Sequence, residues 1–184
     1  SSLTTNINNC WRVALLTFIN FIAMTTMQQL IASLELTPHI EGGYFKETYR
    51  SEAQYTTLDG QSRSLATLIY FMLPSGNYSK FHKIASDEIW IYQAGSPLLI
   101  HMINQEGKLH TATLGLDVAN GQQPQVCIPA QTIFGAEVLD AHSYSLTSCM
   151  VAPGFDFNDF QLYDKAELME RFADLAPIIL HLHQ

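Results

Sequence analysis

From Glu41 to Val151 short β-rich runs alternate with turn residues, a rhythm suited to stacked strands and unsuited to helices. Gly42-Gly43 opens a run at Tyr44 to Tyr49, and Leu58-Asp59-Gly60-Gln61 reads as a hairpin turn. Ser64 to Leu73 is almost continuously apolar and is closed by Pro74-Ser75-Gly76, which marks a buried strand rather than a helix. Ser79 to Ile84, Glu88 to Gln93, Leu98 to Gln105 and Leu109 to Leu114 continue the series. Gln125 to Ile128, Thr132 to Leu139 and Tyr144 to Val151 complete it, and Pro153-Gly154 ends the last strand. The expectation is an all-β sandwich or barrel.

The two ends read differently. Thr25 to Leu34 is expected to form a helix packed on the strands. Near the C terminus Asp164 is a good N-cap with Glu167 three residues on, and Leu168, Phe172 and Leu175 recur on one helical face. The division expected is residues 1–34 as extension and helix, 35–163 as the β unit and 164–184 as the terminal helix, all in one domain. Val13 to Ala23 is apolar behind Arg12, but Asn20 interrupts it, no A-x-A site follows, and it is too short to span a bilayer. Met24 and Met27 are both plausible natural starts. A cytoplasmic protein without a membrane partner is the expectation. At 184 residues, 47% hydrophobic and 14% charged, the chain has the material for a packed core. Its net charge of −8 and scattered basic residues leave no cluster to neutralise a row of phosphates, so nucleic acid is not an expected partner. Cys10, Cys127 and Cys149 lack C-x-x-C spacing, and the two in strand-like runs read as small buried hydrophobes.

The chemistry concentrates between Gly76 and Gly95. Strand alternation places Tyr78, Lys80, His82 and Ile84 on one face, and Glu88, Trp90 and Tyr92 on one face of the next strand. A hairpin joining them would set His82 beside Glu88 over an aromatic-lined surface. An imidazole beside a carboxylate is either a metal half-site or a base oriented by its partner.

Here the sequence resembles the cupins. Gly76, His82, Glu88 and Gly95 stand at the spacing of the first cupin motif, but Ile84 replaces its second histidine. The second motif is reduced to Pro129-Ala-Gln131-Thr-Ile-Phe134, so Phe134 stands where the fourth metal ligand would be. Three longer stretches resemble the cupin-5 family, catalogued as a domain of unknown function. They are Pro38 to Ser51, Ser79 to Trp90 and Val151 to Phe160, although Ile91 stands where members often carry histidine. The resemblance implies an RmlC-like jelly-roll barrel (a double-stranded β-helix with a few flanking helices) and commonly a homodimer. No metal and no cofactor are expected; His82 and Glu88 are the residues left to hold an ion.

Other residues extend the expected pocket. Glu47 and Tyr49 are placed on one strand face, with Tyr44 and Lys46 on the other. Glu41, Glu47 and Arg50 are rim residues, and Arg50 has a fork suited to a ligand carboxylate or phosphate. Trp90, Tyr92 and Phe134 form aromatic walls. Phe155, Phe157 and Phe160 read as a seal below the barrel, and His181 and His183 as surface residues. Three uses follow. The first is a metal-independent epimerase or isomerase on a sugar or nucleotide-sugar, with His82 as base, Glu88 orienting it and Tyr144 or Tyr92 as acid. The second is a non-catalytic small-molecule binder, and the third a metal-dependent cupin with an incomplete motif.

Overall fold

The structure, a computed structural model, describes residues 26–184. Cys10, the Val13 to Ala23 run, Met24 and Thr25 lie outside them. Helix α1 (Met27–Ser33) begins at Thr26, whose hydroxyl accepts from the Gln29 amide while the Gln29 side chain returns a bond to the Thr26 amide. Its apolar side meets Met72 and Leu146, as the sequence leads one to expect.

Thirteen strands follow among the described residues. They are β1 (Thr37–Pro38), β2 (Tyr44–Arg50), β3 (Gln54–Thr56), β4 (Ser62–Ser64), β5 (Thr67–Pro74), β6 (Tyr78–Lys83) and β7 (Asp87–Gly95). Then come β8 (Leu98–Ile103), β9 (Leu109–Leu114), β10 (Gln125–Ile128), β11 (Ile133–Val138), β12 (Tyr144–Ala152) and β13 (Gln161–Leu162). Six form one sheet in the order β1-β2-β5-β12-β7-β10, and five form another in the order β13-β6-β11-β8-β9. β3 and β4 pair as a hairpin around the turn at Leu58 to Gln61. The apolar run expected as one strand from Ser64 is divided between β4 and β5.

The inner faces of the two large sheets share one core. Phe71, Leu73, Trp90 and Cys149 come from the first sheet, and Leu98, Ile100, Phe134 and Ala136 from the second. Sequence-distant strands lie side by side, as in a jelly roll, but hydrogen bonding does not pass continuously from one sheet to the other. The sheets therefore face one another without closing into a barrel.

Two register shifts correct the simple alternation. Between β6 and β11, Phe134 pairs with His82 but Ala136 pairs with Ser79, so β6 carries an extra residue. Tyr78 consequently packs with Phe81 against the C-terminal helices, and Ser79 turns to the side of His82. Between β2 and β5, Glu47 pairs with Ile69 but Tyr49 with Leu68, leaving Thr48 as the extra residue. That shift brings Glu47 and Arg50 to one side and leaves Tyr49 exposed.

The outer face of the second sheet is covered by α2 (Lys165–Arg171) and α3 (Ala176–Leu182). Asp164 caps α2 by accepting from the Glu167 amide. The expected single helix is broken at Phe172, and a short 3₁₀ turn separates the two segments. Leu168, Phe172 and Leu175 still share one cluster. Gly135 permits the approach: a Cβ there would stand 2.9 Å from a Leu182 methyl and 2.7 Å from the Ser79 carbonyl oxygen. Cys149 is buried as expected, whereas Cys127 is exposed on edge strand β10.

Candidate functional site

The strands carrying His82 and Glu88 are not a hairpin. β6 belongs to one sheet and β7 to the other, and the two side chains line opposite walls of one cavity of about 280 Å³. Phe45, Ile69, Phe71, Trp90 and Val151 give it an apolar body, while Phe155, Phe157 and Phe160 close on it from the loop after β12. Those three phenylalanines are cavity walls, not a seal below the sheets.

Glu41 organises the polar end. The chain from His39 to Gly43 crosses β6 closely, with the Lys80 amide donating to the Glu41 carbonyl at 2.9 Å. Gly42 has φ +121°, and a Cβ there would lie 2.0 Å from the Tyr78 carbonyl oxygen, so the crossing requires glycine. Glu41 Oε1 accepts from the Ser79 hydroxyl at 2.9 Å, and Oε2 lies 3.2 Å from His82 Nε2 and 3.4 Å from His39 Nδ1. His82 Nδ1 donates to the Lys80 carbonyl at 2.8 Å. With that nitrogen fixed, any proton exchanged between the imidazole and Glu41 moves along the Nε2–Oε2 line. The partner of His82 is therefore Glu41, not Glu88 as the motif spacing suggests.

The two carboxyls have opposite charge states. Burial works against the charge of Glu41, but the charge of His82 and hydrogen bonds from His39 and Ser79 outweigh it. Glu41 is held below the usual carboxylate range. Burial, reinforced by the negative charge of Glu41, pushes Glu88 up to about 8. A neutral acid thus faces an ionised one across the same small space. Burial and neighbouring Glu88 also push the Cys149 thiol well up, so it stays protonated.

Of the residues expected to form the pocket, His82, Glu88, Glu41, Glu47, Arg50 and Trp90 line the cavity. Phe134 is fully buried behind it, its ring 4.1 Å from that of His82. Tyr92 and Tyr144 do not line it. The Tyr92 hydroxyl donates to the Gly95 carbonyl, and Tyr144 packs in the cluster under α1. Neither stands opposite His82 as a proton donor. The Arg50 fork is already taken: Nε and Nη2 donate to the two Glu47 carboxylate oxygens at 2.9 and 2.6 Å, and Nη1 donates to the Phe155 carbonyl. It braces the mouth instead of presenting a free anion site. His39 was not singled out in the sequence, although it lies inside the Pro38 to Ser51 stretch.

Residues 28–163 match the Cupin_5 family, described as Cupin superfamily (DUF985). The chain belongs to this family. It is 34% identical over 149 residues to the uncharacterized protein YML079W of Saccharomyces cerevisiae, which covers 73% of this chain and 74% of the yeast protein. Among solved structures it is similar to protein SO0799 from Shewanella oneidensis, with TM-score 0.82 and 39% identity over 88% of this chain and 99% of that one. A hypothetical protein from Leishmania major gives TM-score 0.81 and 34% identity over 85% and 98% of the two chains. A variant of Bacillus subtilis oxalate decarboxylase shares the fold alone, at TM-score 0.50 and 12% identity over 79% of this chain and 36% of that one.

The metal of cupin sites does not fit this cupin's residues. Both His82 nitrogens are engaged, by Lys80 and Glu41, and Phe134, at the last ligand's place in the motif, offers no donor atom and packs its ring 4.1 Å from that of His82. Among the described residues no group of three His, Cys, Asp or Glu side chains is arranged to hold an ion. No helix among them is long and apolar enough to cross a membrane.

Proposed function

We propose that this cupin binds a small organic molecule in the cavity and moves a proton on it, as an isomerase or epimerase does without a metal. The observation that carries the reading is the pair of carboxyls, Glu88 neutral and Glu41 ionised, on the walls of one cavity. Such a pair supplies an acid and a base at the same pH. Glu88 takes the acid role that Tyr144 or Tyr92 would have filled, and Glu41, held against His82, takes the role of base. The space also narrows the substrate. At about 280 Å³ it falls below the roughly 300–1,000 Å³ of drug-sized sites. A monosaccharide-sized molecule fits, and the nucleotide of a nucleotide-sugar would lie outside.

Incubation with small sugars and keto compounds in D₂O tests the reading by mass spectrometry. Deuterium enters a turned-over compound, and the exchange is lost in Glu88→Gln and His82→Asn. Absence of exchange in every compound refutes proton transfer. Binding without turnover is the second reading, favoured because both nitrogens of His82 are already engaged. It is distinguished by a compound that raises Tm, never exchanges, and loses its effect in the cavity-filling variant Val151→Phe.

A further inference from the structure

We infer that the cavity selects an uncharged ligand by its carbonyl oxygen, received jointly by the indole N–H of Trp90 and the carboxyl O–H of Glu88. This rests on the reading of the cavity as a ligand site and specifies what it recognises. Trp90 is 1% exposed, yet its Nε1–H has no hydrogen-bond partner. Buried indole N–H groups ordinarily find an acceptor, and one left unpaired destabilises the fold. The indole lines the cavity beside Glu88, close enough to favour that carboxyl's charged form without meeting it in bonding geometry. Since Glu88 is neutral, its O–H is a second donor at the same place.

The surroundings disfavour an anionic ligand group. The ionised Glu41 on the neighbouring wall repels a carboxylate or phosphate, and the Arg50 fork that would welcome one is taken by Glu47. At the indole N–H itself a ligand ammonium or hydroxyl hydrogen would meet a donor, so that position takes an acceptor oxygen. The apolar body formed by Phe45, Ile69, Phe71 and Val151 suits a hydrocarbon frame around the carbonyl. In the proton-transfer reading, a proton leaves the carbon beside the carbonyl for the His82–Glu41 pair. The C–H electron pair becomes a carbon–carbon double bond, and the carbonyl π pair moves onto oxygen, where the two donors receive its charge. Return of the proton to carbon reverses the electron flow.

Cyclohexanone and methylenecyclohexane are matched in shape and differ in C=O against C=CH₂. Their affinities for the full chain are measured by NMR titration of the protein amides. Trp90→Phe is expected to weaken cyclohexanone about fivefold, the worth of one neutral hydrogen bond, and to leave methylenecyclohexane within about twofold. If Trp90→Phe does not fold, pH decides: raising it from 7 to 9 weakens cyclohexanone alone, and Glu88→Gln, which keeps a donor, removes that dependence. Equal losses for both probes, or no loss for either, overturn the inference and leave the cavity a ligand site. Failure of either probe, and of every compound in the deuterium panel, to bind the unmodified protein overturns both readings.

Discussion

Replacing Glu88 by glutamine removes a group that ionises only at a cost to the fold. Its carboxyl is 7% exposed and raised from 4.5 to about 8, chiefly by burial. A raised carboxyl contributes stability that is fully present below the unfolded value and is lost as pH rises through the folded one. Stability therefore falls between pH 4.5 and about 8 as the unfolded chain releases a proton that the folded chain retains. At about 1.4 kcal/mol per pH unit, the loss is about 3 kcal/mol by pH 7 and approaches 5 kcal/mol by pH 9. Glu88→Gln keeps the shape and does not titrate. Urea unfolding at pH 5, 7 and 9 should show the variant about 1 kcal/mol more stable than the parent at pH 5 and about 3 kcal/mol more stable at pH 7. The gap widens again at pH 9. A difference that stays flat from pH 5 to 9 would refute the argument, because only titration of Glu88 makes it grow.

Gly42→Ala should cost about 2–4 kcal/mol in urea unfolding, from backbone strain and the clash with the Tyr78 carbonyl. It should also abolish ligand-induced stabilisation, since the crossing segment carries His39 and Glu41. Acid should loosen α3 before the sheets. Burial opposes the charge of Glu137, but hydrogen bonds from His181 at 2.6 Å and His101 at 2.9 Å and their charges hold it below its ordinary value. Burial pushes His101 down as well, over the opposing pull of Glu137. For both groups stability is present above the unfolded value and lost as pH falls through the folded one. Through the His181–Glu137 contact, exchange protection of α3 amides should therefore decline as pH falls below 4.5, and Glu137→Gln should lower it at pH 7 and flatten that decline. Protection unchanged by acid or by the variant would contradict this.

Much of the fold is legible in the chain because turn residues and apolar alternation report strands directly. The runs at Leu109–Leu114 and Gln125–Ile128 match their strands residue for residue. That His82, Glu88 and Trp90 share one pocket was legible through the spacing from Gly76 to Gly95. The pairing of His82 was not, because Glu41 is distant in sequence and reaches it only through a crossing that Gly42 allows. Two extra residues, in β6 and at Thr48, shift the faces after them, so alternation misplaces Ser79 and Tyr49. The Phe155 to Phe160 walls escape periodic reading because they come from a loop and a short 3₁₀ turn. Cys127 looks buried in sequence because its neighbours are apolar, yet edge strand β10 leaves it exposed.

The charge states of the two cavity carboxyls are accessible directly, by following the side-chain carboxyl carbons of ¹³C-labelled glutamates through a pH titration. Glu41→Gln and Glu88→Gln assign the two signals. The account predicts that Glu88 titrates near 8 while Glu41 remains ionised to below 4.5. Two carboxyls titrating together in the ordinary range would contradict it, because the cavity would then hold no neutral acid beside an ionised base.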